Sequence, residues 1–213
     1  MRLEDMRARG SRKTVEVLPD RPDIVRLHLF EHDETLAQGV YLVGKLLHIF
    51  FPDNSPGMIG YGTGEDGRVY IDAQRLPLDA KHMDDQIKMR ERYTSIIRTF
   101  AETEQNAHEL DYYRGRYLAT GSLRDALGKE MEEAGILIDN QDSNWTLAEN
   151  GMYYLDIEAF SGNIAQRFRN FDLEKIRAYI AKLTDPSQQK EALSLLDDLA
   201  AVNELIKAKE AKY

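Results

Sequence analysis

The chain has 213 residues, 42 per cent of them apolar and 31 per cent charged, and a formal net charge of −9, a composition that suits one large or two small globular domains. It has no cysteine, which excludes disulfides, thiolate metal sites and cysteine nucleophiles and fits a reducing compartment. Its longest apolar stretch, Val40 to Phe51, holds Lys45 and His48 and falls short of the roughly 20 residues that cross a bilayer, and no apolar stretch of a secretory signal follows Met1, so a cytoplasmic protein without a membrane partner is expected.

Residues 1–13 carry Arg2, Arg7, Arg9, Arg12 and Lys13 against Glu4 and Asp5 and read as a basic flexible arm. Residues 14–78 read as a small α/β unit. Thr14–Leu18 and Ile24–Phe30 have strand patterning, separated by the turn-forming Pro19–Asp23. Leu36, Val40, Val43, Leu47 and Phe50 recur at steps of three or four, which predicts a helix capped by Asp33 and stopped by Pro52. Met58–Tyr61 and Arg68–Asp72 flank a glycine-rich turn ending in Asp66-Gly67, the pattern of a hairpin. Asp79–Thr103 follows as a long amphipathic helix with Met83, Ile87, Tyr93, Ile97 and Phe100 on one stripe.

The most informative segment is 105–157. Tyr112–Ala119 suits a short helix, Thr120-Gly121-Ser122 a turn with Ser122 as cap, and Leu123–Ala134 a second helix carrying Leu123, Leu127 and Met131. Gly135 stands where a left-handed residue ends a helix. Ile136–Ile138 is then expected to pair, across the polar loop Asp139–Asn144, with a strand through Trp145 and Leu147. This order resembles the winged helix-turn-helix of bacterial regulators of the MarR and PadR type, carried by Met131-Glu-Glu-Ala-Gly135-Ile-Leu and by Trp145-Thr-Leu147-Ala-Glu149-Asn-Gly151. The resemblance covers about 105–157 only, within a 79–160 region. It implies a dimeric DNA-binding transcription regulator whose groove-facing residues are Ser122, Arg124, Asp125 and Lys129, with Asn144 at the wing tip and Arg114 and Arg116 reaching phosphates.

Residues 161–213 read as a C-terminal helical segment. Asp172 caps a helix with Leu173, Ile176, Tyr179, Ile180 and Leu183 on its apolar face. Asp185-Pro186 opens a second, striped by Leu193, Leu196, Leu199, Val202 and Ile206. That stripe is a candidate dimerisation or docking interface, or it folds back on its own domain.

Other constellations point nowhere specific. Glu130, Glu132 and Glu133 are out of register for a magnesium-holding helix, because one residue rotates a side chain by about 100°. The Gly62–Gly67 pattern leads into a strand rather than the helix a dinucleotide site needs. His28 and His32 would lie about 13 Å apart on a strand, too far for one ion, and no local Ser/His/acid arrangement is present. The five tyrosines 112, 113, 117, 153 and 154 suit core and interface better than base stacking. No catalytic residue, metal or cofactor is therefore expected.

The expected architecture is α+β: an α/β unit, a central winged helix-turn-helix and C-terminal amphipathic helices. Two functional readings follow. One is the DNA-binding regulator, with residues 14–78 sensing a ligand or partner. The other is a non-catalytic interaction subunit of a larger assembly. It is favoured by the net charge of −6 over 105–157 and by a wing loop without lysine or arginine, since acidic side chains repel phosphate. The partners to consider are DNA, another protein and a second copy of the chain.

Overall fold

The structure, a computed structural model, describes residues 13–29, 33–76, 121–139, 144–148, 151–163 and 166–212. The basic arm up to residue 12, the expected 79–103 helix and the 112–119 helix with Arg114 and Arg116 lie outside the described residues. The class is α+β.

The N-terminal unit runs β1 (Lys13–Val17), β2 (Ile24–Leu29), α1 (Glu34–Phe50), β3 (Met58–Thr63) and β4 (Val69–Gln74). Its sheet has the order β1-β2-β4-β3, every neighbour antiparallel. Alternation sorts the residues by face. Val69, Ile71 and Ala73 are buried with the apolar side of α1, and their register partners Leu27 and Val25 pack against the same core. The opposite face carries the buried Ile24 at one end and, beyond it, polar residues that pair with one another. Arg26 makes a bidentate bond to Asp72 at 2.8 and 2.9 Å and lies 3.7 Å over the Tyr70 ring, while His28 Nε2 is 2.9 Å from Glu16. The Asp33 carboxylate caps α1 as expected, accepting from the Thr35 amide at 3.0 Å.

At the other end of the chain, α3 (Leu173–Ile180) is capped by Asp172 and α4 (Pro186–Glu210) by Asp185. Helix α4 lies antiparallel along α1. Lys209 Nζ binds Asp33 Oδ1 at 2.7 Å and Thr35 Oγ1 at 2.8 Å at one end, and Lys45 pairs with Glu191 at 3.3 Å towards the other. Leu196, Leu199, Val202 and Ile206 are buried between them, whereas Leu193 is 36 per cent exposed at the margin. Of the two roles open to this stripe, the intramolecular one holds for its four inner residues, which are not available to a second chain. Burying each removes apolar surface worth about 1.5–3 kcal/mol, and α1 supplies a complementary face within the same chain.

The central segment departs from expectation in three places. Gly121 and Ser122 already lie in helix α2 (121–133) rather than in a turn, because a glycine costs a helix only about 1 kcal/mol and tertiary burial exceeds that. Residues 136–138 do not pair with the Trp145 strand. Ile136 instead bridges Phe171, and β5 (Trp145–Ala148) pairs with β6 (Gly151–Tyr154) as a local hairpin. The β5–β6 pairing wins because its two strands are near neighbours in sequence, and it seats the Trp145 ring 5.1 Å from that of Tyr154. Finally, a second hairpin, β7 (Phe160–Asn163) with β8 (Gln166–Arg169), stands where no strand is expected. It packs on α1 at Gly39, where an added Cβ would come within 2.5 Å of the Phe160 ring.

The helices and every strand except β1 and β8 contribute to one hydrophobic core, from Leu36 through Met131 and Trp145 to Ile206. Asn54, between α1 and β3, ties that segment to β6, donating to the Met152 carbonyl and accepting from the Tyr154 amide, each at 2.9 Å.

Two predictions follow from these ties. Gly135 has a φ of +87°, and an added Cβ would lie 2.8 Å from the Asp172 carbonyl oxygen and from the Ile176 amide nitrogen. Gly135→Ala should therefore lose about 2–4 kcal/mol, read as a lowered urea midpoint. The second concerns acid. Burial pushes the Asp33 carboxyl up, but Lys209 and Thr35 together pull it below its ordinary value, and Arg169 holds Glu210 low. Depressed carboxylates stabilise the fold above their unfolded values and lose that contribution as pH falls through the lower folded ones. Stability should hold at neutral pH and fall below about pH 4, and Asp33→Asn should flatten that slope in thermal melts.

Candidate functional site

Helix α2 presents one face to the core and one to water, and the division decides which expected contact residues can act. Leu127 is half-buried and Gly128, Met131 and Ala134 are buried, whereas Leu123 is 46 per cent exposed and does not join the stripe. Ser122, Asp125 and Lys129 share the exposed face, within about 60° of one another at 100° per residue. Arg124 does not. It lies on the buried side with a side chain only 20 per cent exposed, and its guanidinium reaches back to Asp125 at 2.9 Å. The exposed face continues through Ala126, Glu130, Glu132 and Glu133, and Lys129 lies 3.8 Å from Glu133. This surface is acidic.

Gly135 then turns the chain through the left-handed region, which sets Ile136 into the core and sends the backbone along Phe171. The Leu137 amide donates to the Asn170 carbonyl at 2.9 Å. Asn144, expected at a wing tip, is bonded within the chain to Asp139 and Leu155. Its Nδ2 donates to the Asp139 carbonyl at 2.9 Å and its carbonyl accepts from the Leu155 amide at 2.8 Å. The Tyr154 hydroxyl accepts from the Asp139 amide at 3.1 Å. Burial, with Asp156, Asp139 and Glu158 nearby, pushes that phenol well above its ordinary value.

Charge is distributed unevenly. From residue 130 to residue 166 the chain has eight carboxylates (Glu130, Glu132, Glu133, Asp139, Asp142, Glu149, Asp156 and Glu158) and no lysine, arginine or histidine. The bases that follow, Arg167 and Arg169, turn towards α4. The Arg167 amide donates to Glu210 at 3.0 Å, and Arg169 binds Glu210 at 2.8 Å and Asn203 at 3.0 Å. Near this acidic stretch two large apolar side chains that the sequence reading did not single out, Leu137 and Phe168, stand in solvent. Phe168 lies between two anchored arginines, and that alternation is the one sequence signal that could have placed it outside.

Among the described residues no three His, Asp or Glu side chains converge as a metal site, and no helix is long and apolar enough to cross a membrane. Comparison with protein-family models, with curated proteins and with solved structures gave no match.

The Tyr154 bond is testable. Tyr154→Phe should cost about 1 kcal/mol, and amide exchange at Asp139 should accelerate while the Gly135 turn stays protected.

Proposed function

We propose that the protein is an interaction subunit of a larger assembly that docks a basic partner surface through the exposed face of α2 and the segment after it. What supports this reading above all is the base-free stretch 130–166, which includes the C-terminal half of the exposed helix face. A surface of one charge sign attracts the opposite sign and steers its approach. It also repels a nucleic-acid backbone, whose binding depends on cations that displace phosphate counterions.

The competing reading is a dimeric winged-helix DNA-binding regulator. It rests on the sequence resemblance and on the shared exposure of Ser122, Asp125 and Lys129. Against it stand the inward Arg124, the internally bonded Asn144 and the carboxylates beside Lys129.

One experiment separates the two. The purified chain is mixed at about 50 mM salt, where phosphate contacts are strongest, with a mixed-sequence duplex and, separately, with a lysine-rich model protein. The interaction reading expects free duplex and a complex with the basic protein. That complex should weaken about tenfold or more in the Glu130→Gln, Glu132→Gln, Glu133→Gln triple variant. Retardation of the duplex, lost in Lys129→Ala, would replace this reading with the DNA-binding one.

A further inference from the structure

Three stretches of backbone lie side by side at the end of the molecule beyond Gly135. Ile136 bridges Phe171 and the Leu137 amide bonds Asn170. The Asn170 amide in turn reaches the Ala159 carbonyl at 3.0 Å, and Ser161 pairs with Phe168 in the β7–β8 register. Alternation sends Ile136, Phe160 and Phe171 into the core, where all three are buried. The same alternation turns Leu137, Ser161, Phe168 and Asn170 to the opposite face. There Phe168 is 63 per cent exposed and Leu137 45 per cent. A depression of about 250 Å³ lies on that face, lined by Leu137, Ile138, Asp139, Glu158, Ser161 and Asn170.

We propose that this platform docks an extended, basic segment of a partner protein, with an apolar side chain seated against Phe168 and Leu137 and flanking lysines or arginines directed at the carboxylates of the rim. The proposal rests on the protein-interaction reading and gives its partner a chemistry. Three observations converge on it. An aromatic side chain such as Phe168, held in the open on a backbone-bonded platform, belongs to the class of residues enriched at interfaces. The platform is preorganised, because β8 is pinned through Arg169 to Glu210 and Asn203, so little ordering opposes binding. Two of its three stretches lie within residues 130–166, which hold no basic residue, the carboxylates of Asp139 and Glu158 line its depression, and Arg169 of the third stretch is paired with Glu210, so the complementary occupant is cationic. An acidic segment, or a nucleic acid, meets repulsion at the same rim.

The test uses fluorescence polarisation with three short synthetic peptides. One alternates lysine with leucine and phenylalanine; the second replaces lysine by glutamate; the third replaces the apolar residues by serine. The lysine–apolar peptide should bind about tenfold more tightly than either control. Phe168→Ser and Leu137→Ser should each weaken it about tenfold with only a small fall in melting temperature, since a large part of each side chain is exposed. Asp139→Asn should weaken it and flatten its salt dependence. Equal affinity for the wild-type chain and Phe168→Ser overturns the proposal. If that equal binding is nevertheless lost in the α2 triple variant, the platform is excluded while the docking reading stands. A wild-type dimer that Phe168→Ser converts to monomer gives the face to self-association and also overturns it. Retardation of a mixed-sequence duplex overturns both readings.

Discussion

The burial of the α4 stripe against α1 is the interaction on which the other arrangements depend. The two helices lie far apart in sequence, yet Leu196, Leu199, Val202 and Ile206 share one core with Leu42, Val43, Leu46 and Leu47. Four buried aliphatic side chains on α4 alone represent an upper estimate of about 6–12 kcal/mol of transfer free energy, comparable to the net stability of a domain. The polar contacts at the ends of the pair contribute less, but they fix its register. Lys209 reaches the capping residue of α1 and Lys45 reaches Glu191. With that register set, Glu210 and Asn203 stand where Arg169 can bind both, and the β7–β8 hairpin is held in place. Helix packing near the chain ends thus positions a surface formed by its middle.

Charge and apolarity are complementary on that surface. Exposed ion pairs contribute roughly 0–1 kcal/mol each and are screened by salt, so the carboxylates of α2 and of the following loop cannot alone hold a partner. They set its sign and its rate of approach. Affinity needs desolvated apolar contact, which Phe168 and Leu137 can supply. The same reasoning weighs against phosphate binding. Of the bases expected at a groove on α2, Lys129 lies among acidic neighbours and Arg124 is turned to the protein side and bonded to Asp125.

Helix ends were legible because their determinants are local. Asp33, Asp172 and Asp185 each stand immediately before the first residue of a helix, and each carboxylate caps the helix that follows. Gly135 likewise takes the left-handed conformation its position requires. The ribbon beyond it was not legible. Ile136–Ile138 has the composition of a strand, but a strand needs a partner, and two were available: the nearby Trp145 segment and the distant Phe171. Trp145 paired with its closer neighbour in β6, which left Ile136 to Phe171. The four-residue strands β7 and β8, with Gly162 and Asn163 in one and two arginines in the other, carry too little alternation to register as a hairpin.

The class of the fold, the capped helices, the strands and helix of the N-terminal unit and the acidity of the central segment were set locally, because propensity, periodicity and charge are properties of residues and their near neighbours. Which apolar stripe is buried and which is left in water was decided only by tertiary packing. The α4 stripe and Phe168 are both apolar in sequence, yet α1 covers the first and no described element covers the second to more than about a third of its surface. Exposure is a relation between distant segments: it exists once Arg169 has met Glu210 and the Leu137 amide has met Asn170, contacts that no pattern of neighbours encodes.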